Sequence, residues 1–210
     1  EMYINKPLEN FLEDTASGTP TPGGGSVAAL VGSLGAALLC MVANFTVGKP
    51  KYKIVEKDIK EILKKAEELK NNLSGLIQED VEAYGKFAQA SKMPKKTPQM
   101  KKKHTQALQK ALKEAAEVPW RTAEASFQVI ELGQKLLPKG NPNLVTDIAV
   151  GVLLAEAALQ SAVVNVEINL SFIKDEEYKK EKSKSLSRIL SRAFQMKNEV
   201  VEKIQKKLTL

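Results

Sequence analysis

Residues 19–49 of the chain, TPTPGGGSVAALVGSLGAALLCMVANFTVGK, carry no charge before Lys49. The two prolines at the start lack a backbone N–H and hold the residues before them in extended geometry. Residues 23–25 are glycines, which give a flexible corner, and Ser26 is a typical helix N-cap residue. We therefore predict a helix, apolar on every side, that begins at Ser26 and ends near Asn44. Because free N–H groups at a helix start bind anions, this glycine corner is the predicted functional site.

Three other interpretations of this stretch are a membrane span, a dinucleotide-binding motif and a plain core helix. Its uncharged length is that of a membrane span, but it is rich in Ala and Gly and has no aromatic belt at its ends. The letters GGGSVA at residues 23–28 fit the dinucleotide pattern G-x-G-x-x-A, which also needs a preceding strand and an acidic residue about 20 positions later. Both are missing, so we reject that pattern. The third interpretation is a plain core helix, in which Gly32 and Gly35 let another helix approach closely.

Length and composition predict a single domain over residues 1–210. A chain of this size buries about 70% of its unfolded surface and needs neither disulfide nor metal to fold. The single cysteine, Cys40, is predicted to be a core residue and not a nucleophile. No signal peptide is recognisable, which favours a cytoplasmic protein. The net charge of +7 fits a solvated Lys/Glu surface or a field that attracts anionic substrates, whereas nucleic-acid binding is not favoured because no aromatics accompany the lysine clusters.

Hydrophobic periodicity predicts helices throughout the chain and no strand. Besides the central helix, we expect a short helix between residues 8 and 17, long helices over 53–91 and 99–137, an apolar helix over 143–173 and a terminal helix over 175–208. Pro119 lies inside the second long helix and predicts a kink or break there. The predicted fold class is all-α, a bundle of about six helices with two or more long ones. Such helices leave apolar faces uncovered in one copy, so we expect a homodimer.

Polar side chains on the apolar helices are the next candidates. Asp147 and Asn165 lie about five helical turns apart and so share one face. On the first long helix, Asp80 and Tyr84 are neighbours because they are four positions apart. A carboxylate at the edge of a core is a candidate general acid or base, since burial raises its pKa; a solvated or ion-paired carboxylate is the ordinary alternative. For Asn169 we favour a hydrogen bond across helices.

Metal chemistry has little support in the sequence. The single histidine, His104, follows three lysines, and we expect this run to be exposed. No cluster of Cys and His with metal-ligand spacing is present, and a Ser–His nucleophilic pair is disfavoured for the same reason. We therefore predict neither a metal nor a bound cofactor.

The segments PTPGGGS at residues 20–26, NPNLVTD at 141–147 and NVEINL at 165–170 together resemble the cyclodeaminase/cyclohydrolase family. This family comprises the C-terminal domain of formiminotransferase-cyclodeaminase and stand-alone bacterial relatives. The resemblance covers essentially the whole chain, and PTPGGGS is its most specific part. It implies an all-helical, dimeric enzyme that uses no metal and takes a tetrahydrofolate derivative as its substrate.

The chemistry that this resemblance implies concerns the one-carbon unit between N5 and N10 of tetrahydrofolate. A cyclodeaminase converts 5-formiminotetrahydrofolate to 5,10-methenyltetrahydrofolate and releases ammonia; a cyclohydrolase adds water to the methenyl carbon and gives 10-formyltetrahydrofolate. Both reactions need proton transfer and an oriented pterin. We assign Asp80 and Asp147 as the acid–base candidates. The predicted substrate-binding residues are Gly23, Gly24, Gly25, Ser26, Asn44, Lys49, Tyr84 and Asn165, with Lys49 expected at the anionic tail.

The sequence does not choose between these two reactions, and two further classes stay open. One is a helical dimer that binds a folate without turning it over. The other is a helical scaffold or membrane-associated protein, which would show no folate affinity. We place the cyclodeaminase reaction first and the cyclohydrolase reaction second, with no nucleic-acid or membrane partner expected.

Overall fold

Six α-helices and three short 3₁₀ turns make up a computed structural model, which describes residues 2–208. No strand occurs within that range, so the predicted all-α class is confirmed. The helices are α1 (Leu8–Ala16), α2 (Gly24–Asn44), α3 (Glu56–Ser91), α4 (Pro98–Leu136), α5 (Val145–Phe172) and α6 (Glu176–Leu208). The 3₁₀ turns are Tyr3–Asn5, Pro50–Val55 and Pro142–Leu144.

The uncharged helix α2 lies at the centre and packs against α3, α4 and α5. It runs antiparallel to α5, because its first residue, Gly24, lies beside Asn165 and its middle lies beside the start of α5. At that middle, a Cβ built on Gly35 would stand 2.7 Å from the carbonyl oxygen of Gly151. Only glycine permits this backbone contact, as the sequence predicted for Gly35. The α2–α5 pair therefore forms the spine of the bundle.

Helix α4 continues through Pro119, so of the predicted kink or break, the break does not occur. Proline has no N–H, so the carbonyl oxygen of Ala115, four residues earlier, loses its partner within the helix. Asn169 of α5 supplies the missing donor, since its Nδ2 lies 3.3 Å from the oxygen of Ala115. The hydrogen bond across helices predicted for Asn169 is thus confirmed, and it joins α4 to α5 beside the candidate site.

Two local predictions are corrected by the structure. Ser26 is not the N-cap of α2; Gly23 is, and Ser26 lies in the first turn with its side chain directed at α3. His104 is buried, with 6% of its surface exposed, because the face of α4 that carries it packs inward while the neighbouring lysines stay in solvent. Cys40 is buried in the core, as predicted.

Two segments are long and apolar enough to cross a membrane by length and composition alone, Gly24–Asn44 and Pro142–Phe172. In the first, 61% of the most apolar window is buried inside the bundle, and in the second 44% is. A core helix of a globular protein gives the same signal. The residues of these two segments that are not buried lie on the surface of the molecule.

Candidate functional site

A cavity of about 330 Å³ opens where the start of α2 meets α3, α4 and the end of α5. Its volume is in the range of small-molecule sites. The glycine corner forms one wall, and the other walls come from the three neighbouring helices. The lining residues are Pro20, Thr21, Gly23, Gly24, Gly25, Asp80, Ala83, Tyr84, Phe87, Leu112, Ala115, Asn165, Ile168, Asn169 and Phe172.

The carboxylate of Asp80 is fixed against the first turn of α2. The hydroxyl of Ser26 donates to Asp80 Oδ2 over 2.8 Å, and the backbone N–H of Ser26 donates to the same carboxylate. Ser26 Oγ also lies 3.1 Å from the carbonyl oxygen of Ile77, which orients the hydroxyl between two acceptors on α3. The anion that this helix start holds is therefore the chain's own carboxylate.

Gly25 is the residue that lets Asp80 reach this position. A Cβ built on Gly25 would stand 2.2 Å from Asp80 Oδ1 and 2.7 Å from its Cγ. Any side chain at this position would displace the carboxylate. Gly24 is different, because its Cβ would lie 3.4 Å from Asn165 Nδ2, an ordinary contact.

Burial raises the pKa of Asp80 above its ordinary value. The two hydrogen bonds from Ser26 favour the charged form and lower the pKa, but the loss of hydration outweighs them. A carboxyl group with a raised pKa at a cavity wall is a candidate general acid or base.

The walls contributed by α3 and α5 combine aromatic and amide groups. Tyr84 and Phe87 of α3 lie with ring centroids 6.0 Å apart, and Phe172 closes the α5 side. Asn165 donates from Nδ2 to Ser161 O on its own helix, which leaves its amide oxygen directed away from that bond. A flat heteroaromatic ligand would therefore meet aromatic faces and amides here.

Seven of the predicted site residues come together in this one region. Asp80, Tyr84 and Asn165 line the cavity with the three glycines, and Ser26 lies behind Asp80 and holds it. Their placement was predicted; their roles remain predictions.

Asn44, Lys49 and Asp147 do not join this group within one chain. Asn44 is the last residue of α2, whose 21 residues span about 30 Å. Asp147 lies in the first turn of α5, near that same end, because α5 starts where α2 stops and the backbone N–H of Asn141 donates to Thr46 Oγ1 over 3.0 Å. The shared helix face predicted for Asp147 and Asn165 ignored this distance along the axis.

Phe87, Phe172 and Ala115 line the cavity but were not predicted as site residues. The two phenylalanines belong to apolar stripes, and nothing in their spacing separates a cavity wall from a core position. The carbonyl of Ala115 had a sequence signal, since Pro119 four residues later removes its helical partner.

The polar groups that line the cavity are a carboxylate, side-chain amides, the hydroxyl groups of Thr21 and Tyr84, and backbone groups. Within residues 2–208, no three His, Cys, Asp or Glu side chains converge in a way that could hold a metal ion.

Comparison with known proteins gives concordant matches. A family profile described as formiminotransferase-cyclodeaminase matches residues 7–188. A methenyltetrahydrofolate cyclohydrolase from Methylorubrum extorquens is 40% identical over 99% of this chain and 100% of its own length. A solved structure of a formiminotetrahydrofolate cyclodeaminase from Thermotoga maritima superposes with a TM-score of 0.84 at 33% identity, covering 96% of this chain and 98% of the other.

A formimidoyltransferase-cyclodeaminase from Gallus gallus is 34% identical over 91% of this chain. Here the matched region is only 36% of the relative's length. The chain therefore corresponds to about a third of that larger protein and to the whole of the cyclohydrolase.

Proposed function

The chain belongs to the formiminotransferase-cyclodeaminase family, whose matched relatives are named as enzymes of folate one-carbon chemistry, and we propose that it is a methenyltetrahydrofolate cyclohydrolase. The observation that carries the proposal is the Asp80 carboxyl group, held by Ser26 at the wall of an aromatic-lined cavity. The 40% identity to a cyclohydrolase over its full length favours hydrolysis over deamination.

The first step is the addition of water to the methenyl carbon. The bridge between N5 and N10 is a cationic amidinium group, which a carboxylate attracts. As the water oxygen bonds to this carbon, Asp80 takes one proton from the water. The product of this step is a neutral tetrahedral carbon that carries a hydroxyl group and both nitrogens.

The second step breaks the bond between this carbon and N5. Protonated Asp80 returns its proton to N5 as that bond breaks, and the hydroxyl proton leaves to solvent as the formyl C=O forms. The balance is one water consumed and one proton released, with the formyl group left on N10. Burial raises the pKa of the Asp80 carboxyl group, which makes its carboxylate a stronger base toward the water proton.

The remaining walls would orient the substrate. The rings of Tyr84, Phe87 and Phe172 stack on the pterin or the aminobenzoyl ring. Asn165 bonds to pterin nitrogens or oxygens, and the side-chain-free wall at Gly23 and Gly24 lets the folate ring approach the backbone closely. Holding these groups in register supplies the orientation that both steps need.

The cyclodeaminase reaction, placed first by the sequence, is the second candidate. The solved Thermotoga maritima structure of similar length carries that name. In this reaction N10 attacks the carbon of the protonated formimino group, Asp80 takes the proton that N10 loses, and Asp80 then passes a proton to the departing amino group so that ammonia leaves. The same carboxyl group therefore serves both reactions: it accepts a proton from the attacking water or N10 and returns one to the departing nitrogen.

The test runs both substrates in parallel with purified protein. Loss of the methenyl absorbance above the rate without enzyme, without ammonia release from 5-formiminotetrahydrofolate, supports the proposal. If kcat/KM for ammonia release exceeds that for hydrolysis, the cyclodeaminase assignment replaces it. Binding of either folate without turnover would leave a non-catalytic folate-binding protein. The Asp80→Asn protein, prepared identically, controls for a contaminating enzyme.

A further inference from the structure

The carbonyl oxygen of Ala115 is an acceptor that helix α4 does not use. Pro119, the proline inside α4, has no N–H to donate to it, and its ring crowds this carbonyl. Elsewhere in the interior of a helix, each backbone oxygen accepts from the N–H four residues later. Ala115 and Leu112 are the residues of α4 that line the cavity, and both side chains are apolar. Pro119 therefore gives this apolar wall a main-chain acceptor.

Asn169 uses its amino group within the protein and leaves its oxygen free. Asn169 Nδ2 donates to the carbonyl oxygen of Asn165 over 2.8 Å and to that of Ala115 over 3.3 Å, which occupies both N–H groups of the amide. Both partners are carbonyl oxygens, so the nitrogen and not the oxygen has to face them. Within residues 2–208, Asn169 Oδ1 has no donor and is not enclosed by protein. Because Asn169 lines the cavity, this oxygen is open to a ligand there.

The carbonyl of Ala115 can accept one more hydrogen bond. A carbonyl oxygen has two lone pairs, and Asn169 occupies only one of them, at a distance of 3.3 Å. The other has no donor within the helix because residue 119 is a proline. The amide that carries Oδ1 contacts this carbonyl directly, so the two free acceptors are neighbours. We call Ala115 O and Asn169 Oδ1 the acceptor pair.

A ligand that matches the acceptor pair carries two adjacent N–H donors on a flat ring. The pterin of a folate has such an edge, formed by N3–H and the 2-amino group, whereas the glutamate tail of a folate presents carboxylate acceptors. Two donors that meet two acceptors replace the water that both sides lose, and no polar group is left unpaired. The acceptor pair therefore selects the pterin end of the molecule.

We propose that the acceptor pair binds the donor edge of the pterin, with the 2-amino group on Ala115 O and N3–H on Asn169 Oδ1, and that Pro119 is a positioning residue that frees this carbonyl. The inference rests on the proposed folate chemistry. The assignment of donors follows from depth, since a backbone oxygen is recessed behind side chains. The exocyclic amino group projects from the ring and reaches it, whereas Oδ1 stands forward on its side chain.

This orientation brings the reacting end of the substrate to Asp80. Asn165 lies one helical turn, about 6 Å, before Asn169 on α5. Its amide lies beside Gly24, and a Cβ on the next residue, Gly25, would meet the Asp80 carboxylate. Asn165 thus lies between the acceptor pair and Asp80. In a folate, the one-carbon bridge lies at the opposite end of the bicyclic ring from the 2-amino group, so holding the donor edge directs the bridge toward the carboxylate.

The test measures binding and needs no turnover. The probes are 5-formyltetrahydrofolate and its analogue in which a methyl group replaces the 2-amino group, so that a donor is lost at nearly constant size. Isothermal titration calorimetry gives a Kd for each probe, and the ratio of the two Kd values measures the contribution of the amino group. In the wild type we expect the analogue to bind about tenfold more weakly, because it leaves an acceptor unpaired. Equal Kd values overturn the proposal.

Pro119→Ala isolates the carbonyl of Ala115. The new N–H donates to this carbonyl within the helix, and with Asn169 still bound both lone pairs are used. We expect the Kd ratio to fall toward one. The control Pro98→Ala makes the same change in the exposed first turn of α4, where proline costs no helical hydrogen bond, and should keep the wild-type ratio. A distorted cavity would weaken both probes alike, so an unchanged ratio in Pro119→Ala overturns the role of Pro119.

Two further variants test the assignment of donors. Asn169→Ala removes the partner of N3–H, which both probes carry, so both should bind about three- to tenfold more weakly at a nearly constant ratio. Asp80→Asn should also keep the ratio. A ratio that collapses in Asp80→Asn and survives in Pro119→Ala would show that the carboxylate binds the amino group, and would overturn the proposal. Circular dichroism checks that each variant is folded; should Asn169→Ala not fold, Pro119→Ala decides.

The outcomes separate this inference from the proposed function. A ratio that falls in Pro119→Ala, in a protein that turns over neither folate, keeps the inference and refutes the proposed reaction. Turnover together with a ratio that Pro119→Ala leaves unchanged refutes the inference and keeps the proposed function. Failure to bind either probe refutes the inference, and turnover of methenyltetrahydrofolate then decides the proposed function separately.

Discussion

The two ends of the α2–α5 pair carry similar residue types in different environments. At one end, Gly25, Ser26 and Asp80 interlock, and the carboxylate loses hydration at a cavity wall. At the other end, Asn44 and Lys49 are exposed in a single chain. Asp, Asn and Gly are thus insufficient to mark a site. What distinguishes the first end is that the start of α2 packs directly against a carboxylate of α3 at a cavity wall.

The largest expected difference between the two ends concerns catalysis. Asp80→Asn removes the proton acceptor, and we expect kcat to fall by about 10²–10⁴-fold, the range for general acid–base catalysis. Asp58→Asn makes the same change on the same helix at the far end, where Asp58 pairs with Lys139. Its kcat should stay within about twofold, since a surface ion pair contributes little. Equal kcat values for wild type and Asp80→Asn on folded protein would remove Asp80 from the mechanism.

A second substitution probes the close contact at the glycine corner. Gly25→Ala places a methyl group where the Asp80 carboxylate stands, so we expect about 1–3 kcal/mol lower stability and a clear loss of kcat. Gly75→Ala on α3 meets nothing within 4 Å and should gain about 0.5–1 kcal/mol. Urea unfolding and steady-state kinetics measure both. Wild-type activity in Gly25→Ala would show that the position of Asp80 is not critical.

The hydrogen bond from Asn169 to the carbonyl oxygen of Ala115 is expected to stabilise the cavity end of the bundle. Asn169→Ala leaves a carbonyl oxygen without a partner, and we expect a loss of about 1–3 kcal/mol. Adding Pro119→Ala restores an N–H four residues after Ala115, so the loss due to Asn169→Ala should shrink by about 1 kcal/mol in that background. Strictly additive losses in the double-mutant cycle would contradict this account.

The smallest effect is the pH dependence that Asp80 adds to stability. Because burial raises its pKa in the folded chain, the native state binds more protons than the unfolded state. The free energy of unfolding of the wild type, relative to Asp80→Asn, should therefore fall as the pH rises from 3.8, the ordinary value, through the raised value. Above that window the difference should be constant. A rise over the same window would mean that the hydrogen bonds from Ser26 outweigh burial.

The sequence was sufficient to predict the helices and to place the glycine corner in the candidate site. Uncharged periodic segments have few alternatives to a bundle core, and the close approach at Gly35 followed from the absence of a Cβ. It was insufficient for Asp147, because a shared helix face says nothing of the distance along the axis. It was also insufficient for His104, since three neighbouring lysines indicate exposure while a single position on the inner face remains buried.

Pro119 shows how far the consequence of a local signal depends on tertiary contact. A proline inside a helix predicts a kink or a break; no break occurs in α4, where Asn169 satisfies the freed carbonyl. The pairing of a proline on one helix with an asparagine on another depends on tertiary contact. Only the packing of α4 on α5 shows that Asn169 donates to the carbonyl oxygen of Ala115 in place of the missing N–H.

The occupation of the α2 start by Asp80 has a consequence for the solutions in which the protein is handled. A helix start of this kind ordinarily attracts phosphate or sulfate, but here the N–H and the hydroxyl of Ser26 are already bonded to the carboxylate of Asp80. Inorganic oxyanions in common buffers should therefore compete poorly for the cavity, and a ligand that carries a delocalised positive charge should be drawn to it.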